Sequence, residues 1–292
     1  MQIPFPKYDG GGAVVLFSGG MDSTTLLRHA LEKHDKVVAL SVHYGQTHSC
    51  ELKVAAAIIE EFWFRVGFWE TRPGWEPNTG LTPQHFLQHM TLDMAGFQGI
   101  FAGSSQTDPN IPVPSGHYEE ESMKATVVPN RNMILLSLAS AVAISWARNN
   151  ADGDLNATPY TVYYGAHAGD HAVYPDCRKE FFDHLSQAIG MCHDPGVPVS
   201  APFIESSKAD ICRHGSIILG ENLSQTWSCY AGELDSHCGQ CGTCVERREA
   251  FAISEIEDLT RYEYAPDVLG EDWLEHMEQM QDGTLPQNDE EG

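Results

Sequence analysis

The chain has 292 residues, 17 Lys plus Arg against 41 Asp plus Glu, a formal charge of −24, and 42% hydrophobic residues. This composition supports a sizeable core in one large domain or two modest ones and excludes collagen-like and disordered chains. The acidity excludes a sequence-independent nucleic-acid binder, which needs basic surface to release counterions from phosphate, and a polybasic membrane anchor.

Met1 to Gly12 lacks the charged-then-apolar order of a signal peptide. Ala13-Val14-Val15-Leu16-Phe17 is a continuous apolar run, as expected of a strand buried on both faces. Ser18-Gly19-Gly20 reads as a turn, Met21 to Lys33 as a helix and Val37 to Val42 as a second buried strand. Cys50 to Phe64 places Leu52, Ala55, Ala56, Ile59 and Trp63 at helical spacing. Strand, helix, strand, helix predicts a doubly wound parallel α/β sheet with right-handed crossovers. Gly74 to Glu121 is rich in Pro, Gly, His and Gln without a clear period, and is expected to order around a ligand or partner. Helices are predicted over Arg131–Arg148, Cys177–Gly190 and Ser206–Leu219, with a strand at Thr161–Gly165 after a polar loop. Met133 to Ala147 is interrupted by Ser137, Ser140 and Ser145 and is too short for a membrane span of roughly 20 residues. A soluble, cytoplasmic protein is expected. From Tyr262 onward there are ten acidic residues and no Lys or Arg, and Gln281 to Gly292 reads as a flexible acidic tail.

Ser18-Gly19-Gly20-Met21-Asp22-Ser23 lies between a buried strand and a helix start. Glycines allow a sharp turn and close approach to an anion. The helix N-terminus adds free N–H groups and a positive dipole end, and Ser18, Ser23 and Thr24 add hydroxyls. There is no Walker A lysine and no G-x-G-x-x-G. An ordinary capped turn is the competing reading, which the flanking strand and Asp22-Ser23-Thr24-Thr25 disfavour. The S-G-G-x-D-S loop resembles that of the PP-loop ATP pyrophosphatases. That resemblance implies an adenine nucleotide alpha hydrolase-like fold and cleavage of ATP between its α and β phosphates. Phe17 through Leu27 (Phe17, Ser18, Gly19, Gly20, Met21, Asp22, Ser23, Thr24, Thr25, Leu26 and Leu27) would form the ATP segment.

Cys229, Cys238, Cys241 and Cys244 form C-x8-C-x2-C-x2-C, with Gly239 and Gly242 supplying tight turns. This pattern suits one tetrahedral Zn2+ per chain, and four thiolates would fill its shell, making it structural. An iron–sulfur cluster is the rival reading. Cys50, Cys177, Cys192 and Cys212 are scattered, which does not fit a secreted disulfide framework.

Further stretches narrow the resemblance: Leu40 to Gln46 (LSVHYGQ), Val128 to Asn132 (VPNRN), Tyr174 to Phe181 (YPDCRKEF), Ser207-Lys208-Ala209, and Thr226 to Tyr230 (TWSCY) joined to the run from Cys238 through Glu246-Arg247. Together, over about residues 13–255, they resemble the QueC family. The resemblance implies conversion of 7-carboxy-7-deazaguanine, ammonium and ATP, with Mg2+, into the nitrile preQ0. The carboxylate would be adenylated, converted by ammonia to the amide, and activated again to expel the amide oxygen. Asp22 would orient Mg2+ or pyrophosphate, or serve only as a first-turn acid. Arg131 and Lys208 would neutralise phosphate charge or lie at the surface. Asp170, Asp176 and Arg178 follow the Thr161–Gly165 strand and would recognise the deazaguanine and its carboxylate, or form loop salt bridges. Tyr44 and Gln46 would touch the base or make loop contacts. His167 and His171 would move protons or simply be hydrogen-bonded, and Cys177 is more readily a buried core thiol than a nucleophile. His43 and Thr47 stand where many family members carry an acid and a base.

The expected organisation is a nucleotide-binding α/β domain over 1–222, a small zinc-binding subdomain with the four cysteines and a C-terminal helix over 223–262, and the tail over 263–292. Small molecules are the implied partners, without membrane or direct nucleic-acid contact, and a homodimer stays open. The alternatives are a related enzyme stopping at the amide, one adenylating a protein carboxylate, and a non-catalytic zinc-stabilised nucleotide-binding module.

Overall fold

In a computed structural model, residues 11–47, 50–67, 86–116, 121–231 and 236–264 are described. Five strands form one all-parallel sheet: β1 (Gly12–Leu16), β2 (Lys36–His43), β3 (Phe86–Asp93), β4 (Thr161–Tyr163) and β5 (Val199–Ser200), in the order β3-β2-β1-β4-β5. Ala13 sits opposite Val37 on one side and Thr161 on the other, so β1 is central. This is the predicted doubly wound α/β fold.

Alternation along β1 divides the core into two layers. Val14 faces α3 (Arg131–Asn150) and α4 (Lys179–Gly190), where Leu136, Ala139, Ala143, Leu185 and Ile189 are buried. Ala13 and Val15 face α1 (Met21–Leu31), α2 (Cys50–Gly67), α5 (Lys208–Leu219) and α6 (Gly242–Ile253), through residues such as Leu26, Leu27, Ala55, Ile211 and Phe251. α6, which carries the last cysteine of the motif, thus contributes Ala250 and Phe251 to the main core. No described helix is long and apolar enough to cross a membrane.

Two predictions need correction. The irregular Gly74–Glu121 region contains β3, which pairs with β2 over eight residues, and its later part leans on the cysteine segment: Gly116 N donates to Gln240 O at 3.1 Å. Its described residues are therefore ordered by this chain itself. β3 escaped the sequence reading because it is an edge strand with a mostly half-exposed pattern and no continuous apolar run. The helix read from Cys177 begins at Lys179, because Pro175–Cys177 forms a 3-10 turn instead. The acidic tail from Gln281 lies outside the described residues.

Candidate active site and four-cysteine centre

The strand order reverses between β1 and β4, and the crevice beyond the carboxyl ends of such strands is where doubly wound folds bind ligands. The Ser18–Ser23 loop occupies that position. Gly19 adopts φ +83, and a Cβ there would come within 2.9 Å of the Ala55 backbone nitrogen on α2. The loop is stapled internally: Ser18 N donates to Ser23 Oγ at 3.2 Å, Gly20 N donates to Ser18 Oγ at 3.3 Å, and Ser23 Oγ donates to Gly20 O at 3.3 Å. The first-turn N–H groups beyond it have no intrahelical acceptors. Asp22 Oδ1 and the Thr24 and Thr25 hydroxyls are buried without hydrogen-bond partners among the described residues. The Thr25 hydroxyl faces Gly215 on α5, whereas the orphaned Asp22 oxygen sits at the helix N-terminus beside the loop and fits the cation of a phosphate-bearing ligand.

Behind the loop lies a charged cluster. Lys208 Nζ donates to Asp22 Oδ2 at 2.7 Å and lies 3.5 Å from Glu246 Oε2 and 3.3 Å from His167 Nε2. His167 Nε2 is 3.5 Å from Asp170 Oδ2. Burial alone would raise the Asp22 carboxyl, but Lys208 and His167 outweigh it and hold it below its ordinary value. Burial alone would lower the Lys208 ammonium, but Asp22, Glu246 and Asp170 outweigh it and keep the charge. A cavity of about 220 Å³ opens from the loop, running past Asp22, Ser23 and Asp170 to Tyr44, Glu51 and Arg131. At that far wall Arg131 is hydrogen-bonded to Tyr44 and lies near Tyr230 and Tyr174, which together keep the guanidinium charged against burial.

The four motif cysteines converge. All four sulfurs lie within 4.8 Å of one another, with 3.9 Å between Cys229 and Cys241, 3.9 Å between Cys238 and Cys244, and 3.5 Å between Cys241 and Cys244. A tetrahedron with bonds of about 2.3 Å has edges of about 3.8 Å, so the group fits a four-coordinate metal such as zinc. Ala231 N and Cys238 N donate to Cys229 Sγ at 3.3 and 3.2 Å, and Gln240 N donates to Cys238 Sγ at 3.4 Å, which stabilises thiolates. Trp227 ties this centre to the loop: its backbone N donates to Gly19 O at 2.8 Å and its indole Nε1 to Cys229 O at 2.8 Å.

The family model for queuosine biosynthesis protein QueC matches residues 12–255. The chain belongs to the QueC family. It is 44% identical to a 7-cyano-7-deazaguanine synthase of Hahella chejuensis, over 86% of this chain and 93% of that one. Against synthases of Pseudoalteromonas translucida and Marinobacter nauticus the identities are 43% and 42%, over 86% of this chain and 98% and 96% of theirs.

In this QueC chain the predicted residues divide. Phe17, Ser18, Asp22, Ser23, Tyr44, Gln46, Arg131 and Asp170 line the cavity. Lys208 reaches the site through Asp22 rather than lying at the surface. Met21, Leu26 and Leu27 are fully buried core residues that hold α1 against the sheet. Gln46 is internally satisfied, accepting from Tyr44 N at 2.9 Å and donating to Val42 O at 3.3 Å.

Asp176 and Arg178 do not line the cavity. Asp176 Oδ2 accepts from the Asn132 backbone N at 3.2 Å, capping α3, and Arg178 is exposed with Nε donating to His171 O at 2.9 Å. Cys177 lines the cavity while buried beside Tyr164, and burial pushes its thiol well up, away from the reactive thiolate. His43 pairs with Asp93 at 3.3 Å, and Thr47 Oγ1 donates to Gln106 O at 3.2 Å.

Sequence reasoning passed over Glu51, which lines the cavity near Arg131 with its carboxyl pushed by burial to about 7. It also gave no role to Glu246. The signal for Glu51 was an acid at the first turn of α2, a place acids favour in any helix.

Proposed function

We propose that this chain makes 7-cyano-7-deazaguanine from 7-carboxy-7-deazaguanine, ammonium and ATP. The observation that carries the proposal is the continuous cavity reaching from the Ser18–Ser23 loop to Arg131, lined by groups that suit phosphate at one end and a polar heterocycle at the other. The name of the curated relatives supports it, since the chain spans nearly their whole length.

The chemistry asks the site for three things. A carboxylate is a poor electrophile, so ATP must convert it to an adenylate with loss of pyrophosphate. Ammonia then forms an amide and releases AMP, and a second ATP activates the amide oxygen for expulsion as the nitrile forms. The Ser18–Ser23 segment would bind phosphate through N–H and hydroxyl groups. Asp22, held ionised by Lys208, would hold the Mg2+ that accompanies ATP, which supplies charge neutralisation on the phosphates. Lys208, behind the loop beside Asp22, and Arg131, in the cavity wall, would add fixed positive charge where negative charge develops. Asp170 can accept from the amino and ring N–H groups of the deazaguanine, with Tyr44 shaping the wall. The sulfurs of Cys229, Cys238, Cys241 and Cys244 would hold one Zn2+, a structural ion because four thiolates fill its shell.

The test is mass spectrometry of the products from 7-carboxy-7-deazaguanine, ATP, Mg2+ and ammonium. Nitrile with release of AMP is expected. Amide alone, or unchanged substrate, would overturn the proposal.

A further inference from the structure

Glu246 lies on α6, two residues after Cys244 in the cysteine centre, yet its side chain joins the charged cluster behind the Ser18–Ser23 loop. Its two oxygens have different neighbours. Oε2 is 3.5 Å from Lys208 Nζ, and Oε1 is 3.9 Å from His167 Nε2. A Cβ on Gly169 would come within 2.8 Å of Oε1, so the bare backbone there is what lets the carboxylate approach. The side chains of Glu246 and Lys208 are only 10% and 13% exposed. Lys208 therefore stands between two carboxylates, Asp22 on the loop side and Glu246 on the α6 side.

We propose that Glu246 is a positioning residue for Lys208: it holds the ammonium from the α6 side so that Lys208 can leave Asp22 for a phosphate oxygen without leaving the site. The 2.7 Å bond to Asp22 is the contact an incoming phosphate must compete with. Without Glu246, Asp22 would be the one carboxylate among the described residues within 4 Å of Nζ, and Lys208 would stay on it or swing free once Asp22 is engaged. With two, the charge remains compensated on one side while the other side serves the nucleotide. This inference rests on the reading of the Ser18–Ser23 loop as the ATP site.

The test uses the full chain with its metal bound. Pyrophosphate–ATP exchange dependent on 7-carboxy-7-deazaguanine, zinc content, and the rate at which trinitrobenzenesulfonate labels Lys208 are measured for wild type, Glu246→Gln and Glu246→Asp. Glu246→Gln is expected to lower kcat about tenfold with KM for ATP changed less than about threefold. It should also speed labelling of Lys208 at least about threefold, at unchanged zinc content. Glu246→Asp, which keeps the charge, should recover part of the kcat. An unchanged kcat in Glu246→Gln overturns the inference, and so does loss of zinc in step with loss of activity, since that marks a merely structural residue. Wild type without exchange would overturn the nucleotide reading instead, and unaltered labelling would then reject the contact on its own.

Discussion

Replacing Lys208 by Met would leave Asp22, Asp170 and Glu246 around His167 without their cation. Breaking a partly buried pair costs more than the pair contributes, because the remaining charge stays desolvated, so we expect about 3 kcal/mol of lost stability in urea titrations. Substrate-dependent pyrophosphate exchange should fall about 100-fold. Glu51 makes the opposite kind of case. Burial raises its carboxyl from an ordinary 4.5 to about 7, so the fold favours the protonated form. Stability is then fully present below pH 4.5 and is lost as pH rises through about 7. Glu51→Gln should match wild type near pH 4.5 and exceed it by about 3 kcal/mol at about pH 8, as read by denaturant melts at both pH values. Asp22 and Lys208 were legible in the sequence because each stands in a short block of recognisable spacing. Glu51 and Glu246 were not, because their roles come from what faces them across the fold, and spacing along the chain carries no trace of that.

α6 and the segment before the cysteines are joined by Arg247. Its guanidinium is fully buried and donates to Thr226 Oγ1 at 2.9 Å, Ser228 Oγ at 3.1 Å, Leu223 O at 3.1 Å and Thr260 Oγ1 at 2.9 Å, and it lies 5.2 Å from the Phe251 ring centre. Arg247→Met would orphan those acceptors together, and a loss of about 3–5 kcal/mol is expected in thermal or urea unfolding. Arg247→Lys keeps the charge but not the planar fork and should recover little of it. At this scale the sequence was most readable where one physical rule dominates. β1 and β2 are buried on both faces and read as unbroken apolar runs, and the loop between β1 and α1 announces itself by glycine and hydroxyl residues. β3 lies at the edge, with residues such as Gln88 and His89 half-buried, so neither alternation nor an apolar run marks it. β5 is two residues long, below any useful period. The cysteine spacing picked out the four sulfurs that converge, but nothing in it revealed that Trp227 would tether them to Gly19 O.

That tether would make a metal held by the four cysteines a matter for the whole molecule. Removing it with a strong chelator should release Cys229 and Cys238 from their shared geometry and, through Trp227, slacken the loop at Gly19. Calorimetric titration with ATP is expected to show at least about tenfold weaker binding by the stripped protein, while circular dichroism of the sheet changes little, because β1 through β5 are held by their own layers. The same long-range contacts have a consequence for how the protein is made. Lys208 and Asp22 are 186 residues apart, and Trp227 and Gly19 lie still further apart. On the ribosome, the loop emerges first and waits for most of the remaining chain. Since contacts of such separation are the slowest to form, a nascent chain carries the Ser18–Ser23 loop long before it carries the Lys208 and Trp227 contacts that complete the loop's surroundings. Under the proposed role of that loop, ATP would reward only the finished fold, through mass action on the native state, and would not guide its early steps.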